Sequence, residues 1–110
     1  MAQKLFTIKK RATFVHIRDK GIFIRSKNIN IQRLIKQDLD GKIGVGYTAT
    51  KKIGNAVRRN KAKRIMRELA KKILIKCKTN TYYVLIAKSS ILEKRFKDLL
   101  EELERIVNVK

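Results

Sequence analysis

Apolar residues recur along this chain at several distinct spacings, and each spacing predicts an element. Over residues 9–19, Ala12, Phe14, Val15 and Ile17 supply the apolar contacts of a short helix, and Gly21 closes it. Ile22, Ile24, Ile29, Ile31 and Ile35 then predict extended structure, and Asp40-Gly41 is a hairpin turn signal. After the turn, Ile43, Val45, Tyr47 and Ala49 alternate with Gly44, Gly46, Thr48 and Thr50. That alternation describes a half-buried strand with one apolar face and one face of small or hydroxyl side chains. The small face suits either a bulky ligand approaching the backbone or cover by another element.

Gly54-Asn55 breaks this strand, and Asn55 supplies a helix N-cap. A long helix follows over roughly residues 56–76, with Ala62, Ile65, Met66, Leu69, Ile73 and Leu74 on its buried side. Tyr82–Ala87 is continuously apolar, as expected of an interior strand covered on both faces. A final helix spans about Ile91 to Val107, its core stripe formed by Leu92, Phe96, Leu99, Leu103 and Ile106. Glu93, Asp98, Glu101, Glu102 and Glu104 are assigned to its solvated outer face. The order helix, strands, helix, strand, helix predicts a mixed α/β sandwich. Without proline, repeat or linker, residues 1–110 read as a single domain.

Charge changes this picture from fold to function. The chain carries 29 Lys+Arg against 9 Asp+Glu, a net charge of +20. Residues 1–90 hold 24 of the cations and 4 of the acids, whereas residues 91–109 hold 4 and 5. Self-repulsion of this size opposes a compact state, and a polyanionic partner offsets it by releasing condensed counterions. A basic surface that serves only solubility is the plainer alternative. No run approaches the roughly 20 apolar residues of a membrane helix. A lone Cys77 fits a reducing cytosol and reads as structural or incidental. The N-terminal stretch is basic and acid-free through Arg18, as a transit peptide would be, but is kept in the mature fold.

The densest chemistry lies in Lys51–Glu68, KKIGNAVRRNKAKRIMRE. Helical geometry sets Asn60, Arg64, Arg67 and Lys71 on one stripe, with Arg59 and Lys63 beside it. Like charges at these spacings, and cations in the first helical turn, both oppose helix stability. Local rules broken together in this way mark function, and a helix start with several cations suits phosphates. Catalytic groups do not converge anywhere. His16 is the only histidine, Asp38 and Asp40 fall in a turn, and neither a phosphate-binding glycine loop nor zinc-ligand spacing occurs. Any RNA chemistry in which this chain takes part is therefore performed by another molecule.

The run TATKKIGNAVRRNKAKRIMRE, residues 48–68, resembles the signature of the bacterial ribonuclease P protein component. Lys9–Gly21 resembles that family's first helix, Tyr82–Lys88 its fourth strand, and the acidic-basic last segment its final helix. The resemblance covers nearly the whole chain. It implies an αβββαβα order with a four-stranded mixed sheet and a left-handed βαβ crossover, a sense opposite to nearly all parallel crossovers. It implies a cytoplasmic protein that binds a catalytic RNA, about one protein per RNA, and assists magnesium-dependent removal of the 5′ leader from precursor tRNA. In that reading Mg²⁺ is held mainly by the RNA and substrate, and no catalytic residue, membrane or obligate protein partner is expected. Carried over residue by residue, the catalytic RNA is met by Lys51, Lys52, Arg59, Asn60, Lys63, Arg64 and Arg67. The leader is met by Phe14, Arg18, Gln32, Thr48 and Lys88. Three positions depart from the pattern: Arg18 replaces a second aromatic, Lys88 replaces an Arg, and Lys61 is the third residue of the Arg-Asn-Arg triplet. Size, charge and α/β character alone fit a structural ribosomal protein equally well, and a stand-alone nuclease lacks catalytic residues.

Overall fold

A computed structural model describes residues 4–107. Its elements run β1 (Leu5–Thr7), α1 (Arg11–Lys20), β2 (Ile22–Ile24), β3 (Ile29–Ile35), β4 (Ile43–Thr48), α2 (Ala56–Lys72), β5 (Thr81–Ala87) and α3 (Phe96–Val107). The five strands form one mixed sheet in the order β1-β4-β5-β3-β2. The expected four-stranded sheet is thus one strand short. Leu5–Thr7 pairs parallel to β4, with Leu5 opposite Ile43, and three residues are too few to show a period in the sequence.

Strand alternation distributes the core to two faces. Ile29, Ile31, Ile43, Val45, Tyr83 and Leu85 face α2 and α3, where they meet Met66, Leu69, Leu99 and Leu103. On the opposite face, Val84 packs with Ile8 and Ile17 under α1, joined by Phe14, Leu34, Tyr82 and Ile86. The sandwich is therefore α1, sheet, then α2 with α3.

β5 lies between β3 and β4, antiparallel to the first and parallel to the second. Asp40-Gly41 consequently makes a turn but not a hairpin, because the strands it joins are not neighbours. Both residues adopt positive φ, 56° and 74°, which matches their turn chemistry. The turn is fastened to the start of β5, where Gly41 N–H donates to Asn80 Oδ1 at 3.0 Å and Asn80 N–H donates to the Lys42 carbonyl at 2.8 Å. β4 is likewise more enclosed than a half-buried strand, since Ile43 through Gly46 are all buried.

Both long helical predictions are trimmed. α2 ends at Lys72 and continues as a short 3-10 turn, Leu74–Lys76. The predicted final helix divides into a 3-10 turn over Ser89–Glu93 and α3 proper. Glu102, expected to face water, is buried at 4% exposure. Its carboxylate accepts from Ser26 Oγ at 2.6 Å, Asn28 N–H at 2.8 Å and Asn28 Nδ2 at 2.7 Å. Ser90 Oγ donates to Asn28 Oδ1 at 2.6 Å. One carboxylate thus ties α3, the β2–β3 loop and the segment after β5 together. Burial pushes its pKa up, but the hydrogen bonds from Ser26 and Asn28 outweigh burial and hold it below the ordinary value of 4.5.

Candidate nucleic-acid interface

The basic helix begins with a hinge in the chain. After β4, Lys51–Ile53 make a short 3-10 turn with both lysines exposed and Ile53 buried. Gly54 follows at φ 135°, a conformation open to glycine and strained for other residues. Asn55 caps α2, its side chain accepting from Arg58 N–H at 3.0 Å. Two arginines of the first turn fold back on this junction. Arg58 Nε donates to the Ile53 carbonyl at 3.1 Å, and Arg59 Nη1 donates to the Gly54 carbonyl at 3.1 Å. They brace the entry to the helix while keeping their charge at its N-terminus.

Further along α2 the predicted stripe forms. Ala62, Met66, Leu69 and Ala70 are buried, and Asn60, Arg64, Arg67 and Lys71 are exposed, with Arg59 and Lys63 half-buried at the margin. Lys71 pairs loosely with Glu68 at 3.6 Å. The Arg67 guanidinium sits 5.6 Å from the Tyr47 ring centroid, a cation–π distance. Tyr47, on β4, therefore orients Arg67, a role its sequence position did not disclose. Burial raises the Tyr47 pKa, and the Arg67 charge offsets part of that rise.

The second candidate surface is a cleft of about 240 Å³ between α1 and the sheet. Its walls bring together Phe14, Arg18, Gln32 and Thr48, four of the five residues assigned to the leader. Helical spacing accounts for the α1 wall, where Phe14 and Arg18 stand one turn apart. The sheet wall rests on register, with Gln32 opposite Val84 and Thr48 opposite Ile86. Sequence reasoning missed Arg11, Val15, Val84 and Ile86 as lining residues. Arg11 could have been found, since it lies three residues before Phe14 on the same helical face.

Phe14 is half-buried, and one edge of its ring lies on Gly46. A Cβ added at Gly46 would stand 2.4 Å from Phe14 Cε1. The small face of β4 is thus covered by other elements over most of its length. At Gly44 and Gly46 it is covered by the Phe6, Tyr82 and Phe14 rings, and at Thr48 it opens into the cleft.

Lys88 is not brought into this cleft. Its Nζ donates to the Ser26 carbonyl at 3.0 Å, within the loop that Glu102 organises. The two surfaces are close along the chain, because only two residues separate Thr48 in the cleft from the exposed Lys51-Lys52 pair that leads into α2. Among the described residues, no group of three His, Cys, Asp or Glu could hold a metal ion. No helix among the described residues is long and apolar enough to cross a membrane.

A protein-family model described as Ribonuclease P matches residues 2–109. Among curated proteins, the ribonuclease P protein component of Gluconacetobacter diazotrophicus is 40% identical over 68 residues, covering 62% of this chain and 58% of that protein. The ribonuclease P protein component of Caulobacter vibrioides is 34% identical over 102 residues, covering 92% and 68%. Among solved structures, the RNase P protein of Staphylococcus aureus superposes with a TM-score of 0.81 at 26% identity, covering 94% of this chain and 93% of that one.

Proposed function

Because the chain belongs to the bacterial ribonuclease P protein family, we propose that it is the RNA-binding subunit that assists Mg²⁺-dependent removal of the 5′ leader from precursor tRNA. Its first partner is the ribonuclease P RNA, bound in about a one-to-one ratio through the exposed face of α2. Lys51, Lys52, Arg59, Asn60, Lys63, Arg64 and Arg67 form that contact. The precursor's single-stranded leader lies in the cleft, against Phe14, Arg18, Gln32 and Thr48. We also carry over from the family the left-handed sense of the β4–α2–β5 crossover, the reading of residues 1–110 as one RNA-binding domain, and a cytoplasmic location.

The observation that carries this reading is the pairing of two complementary surfaces on one small scaffold. The α2 stripe is cationic and rigid, suited to phosphates of a folded RNA. The cleft is narrow, with an aromatic ring and a guanidinium along one wall, suited to unpaired bases. Stacking on such groups tolerates any base, which a subunit handling many different leaders requires. The magnesium supplies charge stabilisation at the scissile phosphate and is held by RNA and substrate. The protein's residues bind and orient RNA and take no part in bond cleavage.

The test is reconstitution. The protein alone leaves precursor tRNA intact, whereas protein with ribonuclease P RNA and Mg²⁺ releases the leader at a lower Mg²⁺ concentration than the RNA alone requires. Cleavage by nuclease-free protein without RNA would overturn the proposal.

A further inference from the structure

A second groove lies away from both surfaces above. It has a volume of about 500 Å³ and sits on the α2–α3 face of the sheet, at the end where β5 begins. Its position follows from the lengths of the elements. α2 gives way to a 3-10 turn at Leu74. β3 runs on to Ile35. The last two residues of β3 that continue the buried face of Ile29 and Ile31 are Arg33 and Ile35, and no helix covers them fully. Ile35 remains 47% exposed.

The groove's chemistry is two-sided. Arg33, Lys76 and Lys78 bring three cations to it, while Ile35, Ile73 and Val107 give it an apolar side. Tyr83 and Cys77 also line it. Arg33 has no hydrogen-bond or ion-pair partner among the described residues, and Glu104, which also lines the groove, forms no ion pair with it. No nitrogen of this guanidinium is both buried and unpartnered, so it is open to an incoming anion. Burial pushes the Tyr83 hydroxyl up to about 12 and raises the Cys77 thiol, the latter opposed by Tyr83 and Arg33. Both groups are therefore neutral at pH 7 and add no negative charge against an incoming anion.

We propose that this groove binds a nucleoside monophosphate unit, its phosphate on Arg33, Lys76 and Lys78 and its base against Ile35, Ile73 and Val107. The unit comes either from a free nucleotide or from an unpaired nucleotide of an RNA. It is not the stretch of RNA held in the cleft, because neighbouring residues of β3 point to opposite faces, Gln32 into the cleft and Arg33 into the groove. The site holds whether or not the chain acts on precursor tRNA.

Cys77 is the only cysteine and provides the readout. The full-length protein is alkylated with iodoacetamide at pH 8.5, and the rate at Cys77 is followed by mass spectrometry. AMP slows alkylation saturably, while adenosine or potassium chloride at matched ionic strength does not. Arg33→Gln and Lys76→Gln each weaken the AMP effect by about tenfold or more, as loss of a charge-assisted hydrogen bond requires, with circular dichroism unchanged. An RNA hairpin carrying one bulged nucleotide, compared with its fully paired counterpart, separates the sources. Stronger protection by the bulged form assigns the site to RNA, and protection by AMP alone assigns it to free nucleotide. Absence of protection by both, or protection unaffected by both substitutions, overturns the proposal.

Discussion

Replacing Gly46 by alanine places one methyl group where the Phe14 ring now rests. The added Cβ would lie 2.4 Å from Cε1 and 2.7 Å from Cζ. Ordinary van der Waals contact begins near 3.4 Å, so the ring must retreat by about 1 Å. The backbone at Gly46 is not in the left-handed region, so alanine meets no conformational penalty there. Ile17 and the sheet block retreat into the core, which leaves the cleft as the way out. Overpacking of this kind costs about 1–3 kcal/mol, and a mobile ring edge sets the cost near the low end. A displaced ring loses its stacking geometry, and stacking contributes about 1–3 kcal/mol per base. Gly46→Ala is therefore expected to lower affinity for precursor tRNA with a leader about five- to a hundredfold, while mature tRNA and ribonuclease P RNA bind as before. The assay is fluorescence titration of precursor and mature tRNA against the holoenzyme, with thermal melting of the free protein alongside. Phe14→Leu in the Gly46→Ala background should recover melting temperature but not leader affinity. Unchanged leader affinity in Gly46→Ala, or a steep fall in melting temperature that Phe14→Leu does not relieve, would refute the reasoning.

Three other outcomes follow from contacts described above. Glu102→Gln turns one of the two accepting oxygens into an NH2 group that faces donors, so it breaks at least one of the three hydrogen bonds and should destabilise the protein by about 1–3 kcal/mol at pH 7. Because the folded-state pKa of Glu102 is depressed, its stabilisation is complete above pH 4.5 and fades as pH falls below it; urea denaturation at pH 7 and pH 3 should show the variant and parent converging, and a constant difference would count against this. Lys88→Met loses the bond to the Ser26 carbonyl and should cost about 1 kcal/mol of stability with leader-dependent binding intact, whereas unchanged melting with weaker leader binding would return Lys88 to the cleft. Arg67→Ala should reduce the salt slope of ribonuclease P RNA binding by about one unit, while Tyr47→Leu should weaken binding by a factor of only about 2–5 and leave the slope unchanged; equal slopes for Arg67→Ala and parent would move the contact elsewhere.

Local patterns carried the helical parts of the site, and pairing between distant strands carried the rest. The α2 stripe follows from a 3.6-residue repeat that any reader of Asn60–Lys71 can draw, and the Asn55 cap is a local rule. Gln32 and Thr48 joined Phe14 only by resemblance to a family, because the insertion of β5 between β3 and β4 is a long-range pairing that no short window contains. Lys88 was assigned to the leader by the same resemblance, but the β2–β3 loop claims its ammonium. Glu102 was legible and overlooked. It lies three residues after Leu99 and four before Ile106, within the apolar stripe, so a buried carboxylate with partners was available from the spacing. The groove at Arg33 reflects where α2 stops relative to β3, which boundary signals place only to within a few residues.

The central position of β5 also governs when this protein can exist at all. A ribosome delivers β1 through α2 first, yet the only strand able to join β3 to β4 starts at Thr81. Until it emerges, the pairs β2–β3 and β1–β4 have nothing to join them into one sheet. The cationic helix is therefore synthesised before the platform that presents it. A chain cut short before residue 81 keeps most of the positive charge and lacks Val84 and Ile86 of the cleft. Quality control of such fragments matters more for this molecule than for a protein whose strands pair in the order they are made.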